Sequence, residues 1–280
     1  MRRVRVVAVT GMKGVIGQVI AGTLAGWETC CVDLPECDAR DYDALLAALS
    51  GADAVIHLAW DTRENFLSGR VEPDNQLMTH NVYAAARAAG VPRVVAASSV
   101  HADRFWPRRE TLRRVDDPPV PDSPYGASKV FGEALGRYAA DLGTGVVCVR
   151  FGGVNSADRI PEAEPERAVW LSHRDCRALI VRALDAPLPP GDYVVLYGVS
   201  DNARRLHDLA NPIGWRPRAG YRALTTLTQT HDRRRRGVTC ATVALLELYI
   251  IRRIPAFPKL RSTSSSRTRT TSPARCSAPA

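Results

Sequence analysis

Tyr125 and Lys129 stand four residues apart in the run Tyr-Gly-Ala-Ser-Lys. On a helix that spacing puts a phenol and an ammonium on one face. A phenol is a poor base at its free pKa of about 10. A nearby ammonium stabilises the phenolate and lowers that value. The pair therefore suits removal of a proton from a hydroxyl that is becoming a carbonyl. Such a step also needs a second donor on the reacting oxygen. Ser99, where a strand is expected to end, is placed to supply it, and one serine of the Ser98-Ser99 pair is read as a loop cap. The chain has three lysines (Lys13, Lys129, Lys259) beside 35 arginines, so a lysine at 129 is not ordinary surface charge for this composition.

A hydroxyl oxidised in this way must also lose a hydride, which requires an acceptor. The stretch Thr10-Gly11-Met-Lys-Gly14-Val-Ile-Gly17 is a glycine-rich turn between an expected strand and helix. Gly11 allows the tight turn, Gly14 lets a pyrophosphate approach the backbone, and Gly17 lets the helix pack close. Amides of Lys13, Val15 and Ile16 belong to the same turn, where a helix start favours anions. Asp33 follows 22 residues after Gly11. An acid there suits the ribose 2′-hydroxyl of NAD and repels the 2′-phosphate of NADP, and Leu34, Pro35 and Glu36 follow it with no arginine. The expected cofactor is NAD, and Lys129 would also reach its nicotinamide ribose.

The elements that must hold these groups alternate. Short apolar, β-branched runs predict strands at 4–9, 29–32, 54–58, 93–97, 145–151 and 193–197. Helical periodicity predicts helices at 14–25, 42–49, 73–89, 124–142 and 170–184. This pattern implies an α/β fold, a Rossmann-type doubly wound parallel sheet, with a small C-terminal substrate lobe at about 152–190. Residues 1–218 form the expected cofactor-binding domain. From about residue 219 the pattern decays, and 262–280 is Ser/Thr/Arg/Pro-rich and expected to be disordered. This ending is read as an appended or frame-shifted tail with no catalytic part.

Composition narrows the partners. The formal net charge is +9, yet residues 231–280 hold eleven Lys/Arg and two acids, leaving 27 of each sign in residues 1–230. The body is neutral, so the basic pI of the chain argues for no nucleic-acid partner there, and Arg233–Arg236 is read as a solvated charge run. Seven scattered cysteines form no CxxC and no zinc-spaced cluster, so no metal is expected and a reduced, cytoplasmic compartment is the simplest reading. No apolar run is long enough to span a bilayer. His57, His80 and His173 are read as structural, and Asp116-Asp117 as a solvated loop.

Together the glycine turn, Asp33, His57-Leu-Ala, Ala97-Ser98-Ser99 and Tyr125-x-x-x-Lys129 resemble the extended short-chain dehydrogenase/reductases of the NAD-dependent epimerase/dehydratase group, over about residues 4–218. Ser98-Ser99-Val-His101, Trp170-Leu-Ser-His-Arg-Asp175 and Gly214-Trp215-Arg-Pro217 look most like uronate dehydrogenases, which oxidise the anomeric hydroxyl of a hexuronate to a lactone with NAD. The resemblance implies Ser99, Tyr125 and Lys129 as catalytic residues. It implies Asp38 and Ala39 near the adenine, Leu58 and Ala59 along the cofactor, and Thr62 and His101 on substrate hydroxyls. It also implies a homo-oligomer paired through flank helices. Two positions depart from the pattern: Gly153 stands where that group has a serine, and Pro165 where it has the carboxylate-binding arginine, for which Arg167 is expected to substitute. Neutral sugars and sugar acids both remain open as substrates. Nucleotide-sugar epimerisation uses the same residues but wants a larger lobe than the span between Arg150 and Pro217. A catalytically silent NAD-binding sensor would have no need of the Ser-Tyr-Lys set.

Overall fold

The computed structural model describes residues 3–221 apart from Phe105; the solvated charge run at Arg233–Arg236 and the disorder expected over 262–280 lie outside the described residues. Six strands form one parallel sheet: β1 Arg5–Thr10, β2 Trp27–Cys31, β3 Ala54–His57, β4 Arg93–Ser99, β5 Gly145–Phe151 and β6 Tyr193–Gly198. Their order is β2-β1-β3-β4-β5-β6. The chain reverses its direction of growth between β1 and β3, and the crevice beyond their C-terminal ends is where such sheets bind ligands.

Alternation along the strands divides the core. Val7 and Val9 of β1 and Ile56 of β3 pack on one face, with Leu179, Ile180 and Ala183 of α5 (His173–Asp185) and Val19 and Ile20 of α1 (Val15–Ile20). Ala8 and Val55 point the other way, to Leu45 and Leu49 of α2 (Tyr42–Leu49), Val82 and Ala86 of α3 (Pro73–Ala88), and Ala139 of α4 (Pro124–Asp141). Period-two strands buried on both faces read as continuous apolar runs, and these do.

Four elements differ from the sequence expectation by more than one residue at a boundary. Helix α1 stops at Ile20 rather than running to residue 25, because Gly22 takes a φ of +67° that turns the chain away. Strand β2 lies two residues earlier at its start and is exposed along most of its length, as an edge strand is. Strand β4 continues through Ser98 and Ser99, which pair with Arg150 and Phe151 of β5. Helix α5 begins at His173 instead of Trp170, because the Ser172 hydroxyl accepts from the Asp175 N–H and caps it. Trp170 instead bridges to Gly153.

Candidate active site

A cavity of about 1150 Å³ opens at the C-terminal ends of β1, β3, β4 and β5. At one end lies the glycine turn. Gly11 has a φ of +79°, and a Cβ there would come within 2.5 Å of the Ala59 amide nitrogen. A Cβ on Gly17 would collide with the Met12 carbonyl, whereas one on Gly14 would meet only the Gly11 oxygen at 3.3 Å. Two glycines thus close-pack the turn, and Gly14 leaves its backbone open to the cavity. Asp33 fastens the turn: Oδ1 accepts from the Gly11 N–H at 2.5 Å and Oδ2 from the Lys13 N–H at 3.1 Å. The Lys13 ammonium donates to the Leu34 carbonyl and lies 3.7 Å from Glu36.

Val15 and Ile16 line the same end, as do Asp38 and Ala39. Arg40, unremarked in the sequence reading, grips Asp38 at 2.6 Å and Asp74 at 2.9 Å, and this holds the Asp38 carboxyl below its usual range. Leu58 and Ala59 line the middle. A helix start facing the cavity, a turn with no room for a Cβ at Gly11 or Gly17 and an acid at the second strand's end fit a dinucleotide.

At the other end the structure brings Ser99, Tyr125 and Lys129 to one wall. Tyr125 and Lys129 lie in the first two turns of α4, which Ser123 caps by accepting from the Gly126 N–H. A Cβ on Gly126 would overlap the His101 carbonyl, so this glycine lets α4 approach the loop after β4. The two serines separate cleanly. Ser98 donates to Glu133 Oε1 at 2.5 Å, while Ser99 hydrogen-bonds with the Tyr125 phenol and accepts from the His101 N–H at 3.2 Å. Burial raises the Tyr125 pKa, and its bond to Ser99 opposes that rise.

Lys129 is buried, and desolvation pulls its pKa down to about 7, with the negative charge of Glu64 acting against the fall. Its ammonium donates to the Ala97 carbonyl at 3.3 Å and lies 3.3 Å from the centre of the Trp60 ring and 5.5 Å from that of Tyr125. An ammonium over an indole face is attracted by the ring quadrupole. Trp60 in turn meets Tyr125 edge-on at 5.7 Å.

Thr62 and His101 also line this end. His101 Nδ1 lies 2.9 Å from Asp122, and its ring stacks on Phe66 at 4.3 Å. Arg167 does not line the cavity: its guanidinium lies over the Tyr221 ring at 4.4 Å. The substitution expected of it for the missing arginine is not realised in this geometry, because the aromatic ring holds the side chain elsewhere. Sequence reasoning passed over Trp60, Glu64, Phe66 and Asp122. Trp60, directly after His57-Leu-Ala, carried a usable signal, an aromatic residue at a strand's C-terminal end. Glu64 carried none, since its burial depends on how the 58–72 loop folds.

His57 is a packed strand-end residue. Its Nδ1 lies 2.8 Å from Thr10 Oγ1 and its Nε2 3.3 Å from Thr79 Oγ1, and burial pushes its pKa down to about 3. Burial does the same to His207, also to about 3. Below the unfolded value of about 6.5 the unfolded chain binds a proton that each native histidine refuses, so stability falls as the pH drops from there toward 3. Each histidine should contribute a slope of about 1.4 kcal/mol per pH unit. Denaturant melts between pH 6.5 and 4.5 should show this fall, and His57→Asn should flatten it by about half; an unchanged slope in that variant would mean His57 titrates normally.

The chain belongs to the NAD dependent epimerase/dehydratase family, whose model matches residues 7–184. It is an NAD-dependent dehydrogenase of that family, acting on a CH–OH group with NAD as acceptor. An L-arabinose 1-dehydrogenase (NAD(P)(+)) of Haloferax volcanii is 38% identical, over 76% of this chain and 96% of that protein. A uronate dehydrogenase of Agrobacterium fabrum is 33% identical, over 75% of this chain and 83% of that one. Among solved structures, a mutant uronate dehydrogenase from Agrobacterium tumefaciens complexed with NAD superposes with a TM-score of 0.65 at 29% identity, covering 77% of this chain and 85% of that chain. Among the described residues no cluster of His, Cys, Asp or Glu could hold a metal ion, and no helix is long and apolar enough to cross a membrane.

Proposed function

We propose that this chain oxidises the anomeric hydroxyl of a small free sugar to a lactone, with Tyr125 as the base, and that the sugar binds at the Tyr125 end of the cavity. The observation that carries the reading is the meeting of Ser99, Tyr125 and Lys129 on one wall of a cavity that continues to the glycine turn. Bound at that turn, NAD supplies the acceptor for the hydride that leaves carbon 1. Tyr125, as phenolate, takes the proton of the hydroxyl. Ser99 holds the same oxygen and the phenol together. Lys129 stabilises the phenolate by its charge, and as the tyrosine loses its proton the lysine holds its own more tightly, so the two titrate as a pair. Thr62 and His101 face the space left for the remaining hydroxyls, with His101 fixed by Asp122 and Phe66. The names of the relatives, an L-arabinose 1-dehydrogenase and a uronate dehydrogenase, support a sugar as substrate.

The test is NAD reduction by the purified protein with a panel of free aldoses and hexuronates, with the lactone identified as product. Reduction of NAD with equimolar lactone is expected for at least one of them. Tight NAD binding with no reduction by any sugar would mean a binding protein instead.

A further inference from the structure

The charges lining the cavity are not evenly spread. Its six carboxylates divide between the two ends. Asp33, Asp38 and Asp74, toward the glycine turn, are answered by backbone N–H groups and by Arg40. Asp61, Glu64 and Glu166 belong to the Tyr125 end, where Lys129 is the sole Lys or Arg among the described lining residues. Of the nearby guanidiniums, Arg63 answers Asp61 at 2.7 Å and Arg167 lies on Tyr221.

Glu64 is the sharpest of the three. It is fully buried, and no Lys or Arg lies within ion-pair distance of it among the described residues. Its Oε2 accepts from the Glu72 N–H at 3.1 Å and from Asn75 Nδ2 at 3.0 Å, which anchors the 58–72 loop to the start of α3. Oε1 has no hydrogen-bond partner. The carboxylate lies out of water with one oxygen unbonded, and Lys129 and Tyr125 both feel it.

We infer that Glu64 is a specificity residue acting through its charge: it makes the Tyr125 end a site for uncharged sugars and disfavours sugar acids. The inference rests on the sugar lying at that end, as proposed above. A hexuronate would bring a further carboxylate into a space where Glu64 already draws on Lys129, the one lysine or arginine among the described lining residues of this end. Gly153 and Pro165, both lining this end, supply neither hydroxyl nor guanidinium to receive it. A neutral aldose offers hydroxyls alone and meets no such repulsion.

The test compares kcat/KM with NAD for matched pairs, glucose against glucuronate and galactose against galacturonate. The wild-type protein should prefer the neutral member by about ten- to a hundred-fold, the size of one poorly screened charge repulsion. Glu64→Gln keeps an oxygen for the Glu72 N–H and should shrink that preference about ten-fold, chiefly by raising kcat/KM for the uronate. A purely structural role would lower both members together and leave the ratio fixed. Pro165→Arg provides a second, independent variant: adding a cation to the lining should raise kcat/KM for the uronate relative to that for its matched aldose. A wild-type preference for uronates, or a ratio unmoved by Glu64→Gln, overturns the inference while leaving the dehydrogenase reading intact. No turnover of either member removes the reading on which it rests.

Discussion

Tyr125→Phe should lower kcat about a thousand-fold while leaving NAD affinity within about two-fold, because positioned acid–base groups contribute roughly 10²–10⁴ to rate. A thousand-fold loss corresponds to about 4 kcal/mol of transition-state stabilisation. The phenol ring, its edge contact with Trp60 and its place at the start of α4 survive the change. What is removed is the phenol oxygen beside Ser99, on a ring whose centre lies 5.5 Å from the Lys129 ammonium. Loss of turnover with unchanged melting and unchanged NAD binding would separate chemistry from folding. Retention of a tenth or more of the activity would mean that another group takes the proton.

The largest expected stability effect lies one layer behind that wall. Arg150 is buried and donates to both Glu133 oxygens at 2.8 Å and to the Tyr197 hydroxyl at 3.2 Å. Tyr197 donates on to Asp103 at 2.5 Å, and Arg113 pairs with the other oxygen of the same carboxylate. Glu133 also receives the Ser98 hydroxyl, so the network runs from α4 through β5 and β6 to the strand that carries Ser99. Arg150→Leu would leave Glu133 buried, charged and held by a single hydroxyl. Breaking one side of a buried pair costs about 3–5 kcal/mol, which for a domain of this size is roughly 10 °C in Tm. The double variant Arg150→Leu with Glu133→Leu should recover part of the loss, since no uncompensated charge remains. A single variant as stable as the wild type would mean that water reaches Glu133 and neutralises the cost.

The outcome of reading the sequence varies by element, for physical reasons. Strand β5 and helix α2 were legible residue for residue, because an unbroken apolar run and a capped amphipathic segment each carry their own boundaries. The start of α5 was not, because Trp170 fits the helical period equally well and the bridge to Gly153 is a tertiary contact. The meeting of Tyr125, Lys129 and Ser99 was readable, since one spacing fixes a helix face and parallel strands end at one edge. The distinct tasks of Ser98 and Ser99 were not, because they depend on which face of β4 looks toward Glu133. Arg167 was misplaced for a similar reason: nothing in its neighbours announces that Tyr221, 54 residues on, will draw it away. Trp60 and Glu64 sit on a loop whose course depends on a single buried carboxylate gripping α3, and loop courses set by long-range hydrogen bonds leave no periodicity to read.

The central claim is that the Tyr125 phenolate takes the substrate proton under the charge of Lys129. Its most direct test is the pH dependence of kcat/KM, for the best sugar and saturating NAD, in the wild type and in Lys129→Met. Activity should rise with pH through one apparent ionisation of the pair in the wild type. In the variant that rise should move upward by about one pH unit or more, since no ammonium remains to favour the phenolate. A rise at the same pH in both proteins would contradict the account, because the charge of Lys129 would then have no part in ionising Tyr125.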